Sequence, residues 1–339
     1  MSNIEFITSG MLTTIQDKGR ANLQHLGIPA SGAMDPVSMD LANILVGNVN
    51  DEAVLECTYS GPKIRFHTNT LIAITGATVL SKLNGYDIEN YITIEVQEGD
   101  ILDLSVFESG MRAYIAFAGG INVPKILDSR STYLPMQFGD YDKKLIRGQT
   151  LPIQKVDNKK FYKIKEDCSL RYKKDEVVTI RIVKGPQFNY FTDDEIKKLD
   201  RETYTVSEKS DRMGLRLIGN EINTDKKDMI SDGIPLGSIQ ITRGGQPIIM
   251  AADRQPTGGY PKIAKIIQCD ICHIGQLSPG DKIKLEWVSI EDSKKLYFEK
   301  TKKLDNLLKS YNERKTATNT YRIYVNDKMF QTTLVETSS

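Results

Sequence analysis

The chain has 339 residues, 40% hydrophobic and 26% charged, with a formal net charge of +1. This length is enough for two domains, and such a balanced charge gives no argument for a nucleic-acid or membrane partner. Four cysteines are too few for a disulfide framework, and we find neither a signal peptide nor a segment apolar enough to span a bilayer. We therefore expect a cytoplasmic protein with reduced thiols.

The first half of the chain predicts one helix and then a series of strands. The helix follows Asp35, with Pro36 at its first position and Gly47 just past its end. Apolar alternation, interrupted by glycine, asparagine and aspartate, then predicts strands at 70–85, 91–107 and 112–120.

The second half repeats this composition and adds a tail. Strands are predicted at 177–185 and 281–289, and Thr192–Glu195 is a capping box that begins a helix. A charged helix follows from Glu291, and Tyr321–Glu336 is typical of a hairpin around Asn326-Asp327-Lys328. The polar, lysine-rich stretch 157–176 marks the boundary between the halves. The expected domains are 1–160, 175–290 and 291–339.

Two distant segments have the same order of features. Both "YIAFAGGINVPKIL" (114–127) and "IMAADRQPTGGYPKIAKI" (249–266) run from a buried-type strand through Gly-Gly to Pro-Lys-Ile. This pattern indicates a divergent duplication, and hence a mainly β fold of two pseudo-repeated, barrel-like or sandwich-like units with a few short helices. A cleft between such units is a typical place for a ligand.

Polar residues gather beside glycines at several points of both halves. Glycine lets the backbone approach a ligand, and arginine presents a planar fork to carboxylate or phosphate, so these clusters suit an anionic small molecule. The alternative is turn chemistry and structural salt bridges at β-corners. The catalytic candidates are Asp211, Arg212, Asp253 and Arg254. The substrate-binding candidates are Asp17, Arg20, Ser31, Gly32, Asp35, Ser129, Arg130, Ser210, Gln240, Gln255, Gly258, Gly259, Tyr260 and Lys262.

Other types of site find no support. Cys269-x-x-Cys272-His273 looks like half a zinc site, but no second pair completes it, so we expect no metal and favour a core strand there. Only three histidines are available for a catalytic triad. The chain has neither a P-loop nor a G-x-S-x-G elbow.

A family resemblance extends from about Gly10 to Trp287. The motifs "TTIQDKGR", "GIPASGAMD", "SDRMGLRL", "ADRQPTGGYPKIA" and "QLSPGD" together resemble the family of 5-oxoprolinase C subunits. This family is also called KipA, allophanate hydrolase subunit 2, or biotin-dependent carboxyltransferase. The sequence departs from the family at "QFGDYDKKL" (137–145), where a Gly-Gly…Gly-Arg loop is usual, and at Pro256, where threonine is usual.

The resemblance implies a fold of paired cyclophilin-like β-barrel subdomains. It also implies a hydrolase subunit that works with a KipI-like B subunit and an A subunit to open 5-oxoproline to L-glutamate, with ATP bound through the complex. Under this hypothesis Arg212 and Arg254 neutralise developing negative charge, Asp211 or Asp253 orients a proton or a water, and Lys262 is a further cation at the rim.

Two alternatives stay open at this point. One is a carboxyltransferase component that accepts a carboxyl group from biotin, and only this alternative requires biotin. The other is a non-enzymatic subunit that binds and antagonises the KipI-like partner. The terminal hairpin resembles the strand pair that precedes biotinyl domains, although an extra hairpin on the protein body is the favoured interpretation.

Overall fold

A computed structural model describes the chain except for residues 1, 49–51, 156–175, 227–228, 313–316, 326 and 336–339. The chain divides into two compact units. The first comprises Met1–Gly19, Pro36–Tyr172 and Asn306–Ser339, and the second comprises Arg20–Asp35 and Lys173–Asp305. The boundary predicted at 157–176 lies outside the described residues. Residues 20–35 group with the second unit, although the prediction placed them in the first domain.

The described residues form twenty strands and four α-helices. In chain order the strands are β1 Asn3–Thr8, β2 Leu12–Gln16, β3 Val54–Thr58, β4 Lys63–Phe66, β5 Thr70–Leu83, β6 Tyr86–Ile88, β7 Ile94–Val96, β8 Ile101–Phe117, β9 Thr150–Pro152, β10 Val178–Lys184, β11 Thr203–Val206, β12 Gly214–Ile218, β13 Asp232–Gly233, β14 Ser238–Ile241, β15 Pro247–Met250, β16 Thr257–Gly258, β17 Lys262–Ile266, β18 Lys282–Trp287, β19 Ala317–Val325 and β20 Lys328–Val335. The helices are α1 Pro36–Leu45, α2 Asp193–Arg201, α3 Ile271–Gln276 and α4 Ile290–Asn312. The predicted mainly β architecture is confirmed.

The first unit contains an 11-stranded sheet. Its main path runs β19-β20-β6-β5-β8-β4-β1-β9, with β2, β3 and β7 attached off this path. The residues 91–107 and 112–120 were predicted as separate strands, but β8 runs unbroken from Ile101 to Phe117. Its pairing with β5 continues through Ser109 and Gly110 by shifting register, so the glycine marks a bulge rather than a turn.

The second unit contains a closed seven-stranded barrel in the order β10-β17-β14-β15-β12-β11-β18. The parallel pairing of β10 with β18 closes it, with Ile180 opposite Leu285. Alternate residues such as Ile180 and Ile182 are fully buried, as expected where one strand face lines a barrel core. The short β13 and β16 pair with each other, apart from the barrel.

The predicted helix starts and the terminal hairpin are also observed. Helix α1 begins at Pro36, and Thr192 accepts a hydrogen bond from the Glu195 N–H at the start of α2. Strands β19 and β20 form the hairpin, with Val325 opposite Lys328, while Asn326 lies outside the described residues. Within the described residues, none of the helices has the length and apolar character needed to cross a lipid bilayer.

Candidate functional site

Two of the predicted catalytic residues meet because their strands are neighbours in the barrel. Strand β12 pairs antiparallel with β15 so that Gly214 lies opposite Met250, which brings the start of one strand to the end of the other. The Asp253 N–H therefore donates to the Arg212 carbonyl at 2.8 Å. Both side chains are buried.

Asp253 and Arg212 form a buried, bidentate ion pair. Arg212 Nε donates to Asp253 Oδ2 at 2.9 Å, and Nη2 donates to Oδ1 at 2.9 Å. Ser31 Oγ also donates to Oδ1 at 2.7 Å, and Arg212 Nη2 reaches the Gly32 carbonyl at 2.6 Å. Ser31 and Gly32 both have positive φ, of 56° and 96°. The Asp253 carboxylate thus accepts three hydrogen bonds, two from the Arg212 guanidinium and one from the Ser31 hydroxyl. These bonds hold Arg212 and the turn at residues 31–32 in place.

Arg254 has a different environment from Arg212. Its Nε donates to the Ile234 carbonyl at 2.8 Å and its Nη1 to the Ala251 carbonyl at 3.3 Å. The residue is only 6% exposed, yet among the described residues no carboxylate lies within ion-pair distance of it. Burial lowers the pKa of Arg254 to about 10, with the charge of Asp253 opposing that shift. The guanidinium is therefore still charged at neutral pH, and it is buried with carbonyls as its protein acceptors.

The glycine-rich segment packs against Ile234, the residue whose carbonyl accepts from Arg254. Ile234, whose carbonyl accepts from Arg254, has its Cδ1 2.7 Å from where a Cβ on Gly258 would stand. The same Cβ would lie 3.4 Å from Gln240 Nε2. Gln240 Nε2 donates to the Tyr260 carbonyl at 3.3 Å. A side chain at position 258 would therefore press on the end of the Ile234 side chain, which would have to shift.

Lys262 lies on β17 directly opposite Gln240 of β14. It was predicted at a rim, but it is 1% exposed, on a strand that pairs with β10 and β14. Its Nζ donates to Asp232 Oδ2 at 2.8 Å, and this bond is the main reason that the pKa of Asp232 lies below its usual value. Gln187 braces both residues, donating to Asp232 Oδ2 at 3.4 Å and accepting from the Lys262 N–H at 3.1 Å.

Comparison with known proteins gives the family. The family described as "Carboxyltransferase domain, subdomain A and B" matches residues 26–287. The chain belongs to this family. It is similar to the 5-oxoprolinase C subunit of Escherichia coli, at 34% identity over 296 residues that cover 86% of this chain and 93% of that protein.

The same carboxyltransferase-family chain is similar to part of a much longer protein. It is 32% identical to the urea amidolyase of Saccharomyces cerevisiae over 86% of this chain but only 17% of that protein. The crystal structure of the Kluyveromyces lactis urea amidolyase matches with a TM-score of 0.82 at 31% identity, over 90% of this chain and 20% of that one.

The first unit of this carboxyltransferase-family chain assembles other predicted residues around Asp17. Its Oδ1 accepts from the Gly19 N–H at 2.8 Å, from Ser129 Oγ at 2.6 Å and from Ser131 Oγ at 2.5 Å, and its Oδ2 accepts from the Arg130 N–H at 2.6 Å. Four donors satisfy the carboxylate, so its observed role is to fix the 129–131 loop. Ser131 was not among the candidates.

Arg130 of that loop is neutralised within its own unit. Its Nε donates to the Val123 carbonyl at 2.9 Å, and its Nη1 lies 3.4 Å from Glu52 Oε2. Its surroundings thus provide an acid within ion-pair distance, which the described surroundings of Arg254 do not.

Asp211 and Ser210 form the hydrogen bonds of a turn, as the structural alternative to a catalytic role predicts. Asp211 is exposed, and its Oδ1 accepts the N–H groups of Met213 and Gly214 at 2.8 and 3.1 Å. Ser210 Oγ accepts from the Arg216 N–H at 3.0 Å. Both side chains are used to close the turn before β12.

The remaining candidates take varied positions. Asp35 is fully buried and its Oδ2 accepts from Gln276 Nε2 at 2.9 Å. Arg20 is also buried, with its N–H donating to the Ala30 carbonyl at 2.6 Å. Gln255 is exposed, and Tyr260 and Gly259 are partly buried.

The Cys-x-x-Cys-His motif lies on a helix rather than on the predicted core strand. Cys269 is in a 3₁₀ turn, and Cys272 and His273 are in α3. The prediction was wrong because β17 already ends at Ile266, after which the chain turns into helix. Lys300 Nζ lies 3.0 Å from Cys272 Sγ, and burial raises the pKa of that thiol to about 11. In the described part of the chain, no group of three histidine, cysteine or acidic side chains is placed to hold a metal.

Proposed function

We propose that the chain is the C subunit of an ATP-dependent 5-oxoprolinase that opens 5-oxoproline to L-glutamate. The similarity to the E. coli 5-oxoprolinase C subunit over almost its whole length supports this assignment. The proposed partners are a KipI-like B subunit and an A subunit, with ATP used by the assembled complex. Buried thiols at Cys57, Cys269 and Cys272 suit the proposed cytoplasmic location.

The observation that carries the proposal is the buried charge of Arg254. A buried guanidinium that has no acid within ion-pair distance among the described residues is costly, and an anion from solution can supply the balancing charge. 5-Oxoproline carries a negative charge on its carboxylate, and a phosphorylated form of its lactam carries a phosphate as well. We assign Arg254 to hold that anion, with Gln240 and Tyr260 on the neighbouring wall.

The other predicted residues have supporting parts in this proposal. Asp253, paired with Arg212 and Ser31, fixes the loop that presents Arg254, so we assign it a positioning role. Arg212 has the same role, because its charge is already neutralised. Asp211 is left out of the chemistry, since both its bonds close a turn.

Reconstitution with the partner subunits tests the assignment. The assay measures ATP-dependent glutamate formation at varied 5-oxoproline concentration. Truncating one side of a buried charge pair costs about 2–5 kcal/mol, so Arg254→Ala should lower kcat/KM by at least about thirtyfold. Arg216→Ala removes an exposed arginine from β12 and is the matched control. Unchanged kcat/KM in Arg254→Ala would remove the residue from the site.

The carboxyltransferase alternative has its own support. The family description and the similarity to urea amidolyases favour it, and Arg254 would then bind the carboxyl group being transferred. Transfer of labelled carboxyl from a biotin carrier to a small amide, with no glutamate formed from 5-oxoproline, would favour this alternative. Tight binding of the KipI-like partner with no turnover of either kind would favour the non-enzymatic role.

A further inference from the structure

The terminal hairpin leaves one strand of the first unit with an open edge. Strand β19 ends the path of the 11-stranded sheet, and in the described residues it pairs only with β20. In the part of the chain that the structure describes, no strand pairs with its outer backbone groups. The family match ends at residue 287, so this edge lies beyond the part of the chain on which the family assignment depends.

The inner face of the hairpin is firmly anchored to its own unit. Arg322 Nη2 donates to Asp100 Oδ2 at 2.6 Å, and both side chains are largely buried. Tyr324 packs on Tyr86 with ring centroids 4.6 Å apart, and Met329 enters the hydrophobic core. The edge strand is thus held in an extended shape before any partner arrives, which lowers the entropic cost of pairing.

The outer face of the same strand is apolar and half-exposed. Tyr321, Ile323 and Val325 alternate with the anchored residues, and Phe330 lies opposite Ile323 on β20. Exposed edges are usually protected by lysine, proline or a bulge that turns the strand away. The pairing of β19 shifts register between Ala317 and Asn319, before this segment. The segment Tyr321–Val325 contains neither lysine nor proline, and its one charge, Arg322, is turned inward against an acid.

We propose that β19 pairs antiparallel with β19 of a second copy of this chain, across a two-fold axis at Ile323. Antiparallel self-pairing in this register places Ile323 opposite its own copy and Tyr321 opposite Val325. These are the aromatic and β-branched cross-strand pairs that stabilise sheets. No like charges become opposed, and a chain of net charge +1 has little long-range repulsion between copies. The two sheets then join into one, through an isologous interface.

The oligomeric state of the full chain tests this proposal. Sedimentation is measured over about a hundredfold range of concentration, because one strand pair buries little surface and gives a weak dimer. The expected mass rises toward twice 38.1 kDa. Ile323→Lys, which opposes two ammonium groups at the axis, should stay at 38.1 kDa. Thr332→Lys adds the same charge to the same face on β20 and should still dimerise.

A cross-link tests the register independently. Ile323→Cys should form a disulfide-linked dimer under oxidation, since cross-axis Cβ atoms in such a pair lie near disulfide distance. Phe330→Cys, one strand further in, should not, and the unsubstituted chain controls for its native thiols. A wild-type chain that stays monomeric overturns the proposal. So does Ile323→Lys that dimerises as well as Thr332→Lys, or Ile323→Cys that cross-links no better than Phe330→Cys.

Discussion

Removal of the Asp253 carboxylate should destabilise the second unit strongly. In Asp253→Ala, the buried Arg212 guanidinium loses both carboxylate bonds and retains the Gly32 carbonyl among the contacts described above. Breaking one side of a buried ion pair costs about 3–5 kcal/mol, a large share of the roughly 5–15 kcal/mol that stabilises a typical domain. Arg212→Met should cost a similar amount, because it leaves the carboxylate buried. Ser31→Ala removes one hydrogen bond to a charged acceptor and should cost about 1–3 kcal/mol.

Unfolding in urea, followed by tryptophan fluorescence, measures these changes in the free energy of unfolding within the second unit. Trp287 is the chain's single tryptophan and lies on β18 of the same barrel, where its ring is nearly perpendicular to that of Phe188 at a centroid distance of 5.4 Å. Asp211→Ala, next to Arg212 but exposed, is the matched control and should cost less than about 1 kcal/mol.

The double variant Arg212→Met/Asp253→Ala decides between a paired and an independent role. If the pair acts as a unit, the double variant should cost clearly less than the sum of the single variants, with a coupling energy of up to about 3 kcal/mol. Strict additivity, or a cost below about 1 kcal/mol for Asp253→Ala, would refute the reasoning.

Three further changes probe the second unit. Burial pushes the pKa of Asp270 up, but its hydrogen bonds to Arg181 and the charge of that residue outweigh burial and hold the pKa below its usual value. The Asp270 carboxylate therefore stabilises the fold above about pH 4, and this stabilisation is lost as the pH falls through its folded pKa. Arg181→Met should move acid unfolding to higher pH, and an unchanged midpoint in a fluorescence titration would contradict this. Gly275→Ala places a Cβ 2.7 Å from the Met34 backbone. The cost of overpacking, about 1–3 kcal/mol, should exceed the helix-propensity gain of about 1 kcal/mol, so Tm should fall. A higher Tm would show that the Met34 backbone moves to make room. Thr192→Ala removes the cap of α2 and should lower the free energy of unfolding by about 1 kcal/mol in urea, with Thr192→Ser restoring most of it.

Local chemistry explains which elements could be predicted. Pro36 at a first helical turn and Thr192 three residues before Glu195 act within one turn of helix, so the sequence alone marks where α1 and α2 begin. The same signal was available and missed at Ser289, whose Oγ accepts from the Asp292 N–H at 3.0 Å at the start of α4. Strand β8 was divided wrongly because Gly110 is equally typical of a turn and of a bulge, and only the pairing partner β5 distinguishes them.

Long-range contacts explain what could not be predicted. Ser31 meets Asp253 across 222 residues, and Lys262 meets Asp232 across 30, with no periodicity or spacing to relate them. The sequence indicates which residue types are site candidates. It does not indicate which carboxylates already accept hydrogen bonds from the protein itself. Asp211 is an example, since its backbone partners belong to a turn that many sequences could form.

Compensation of charge is what separates Arg254 from Arg212 and Arg130. Arg212 has a bidentate carboxylate, and Arg130 of the first unit has Glu52 nearby. Each of those guanidinium groups can be explained by structure alone, because its charge is balanced where it lies. Arg254 has carbonyl dipoles as its described acceptors, which satisfy hydrogen bonds but leave a net positive charge out of water. Under the proposed function, a bound anion balances this charge beside the loop fixed by Asp253, and that is the reason to look for the substrate there.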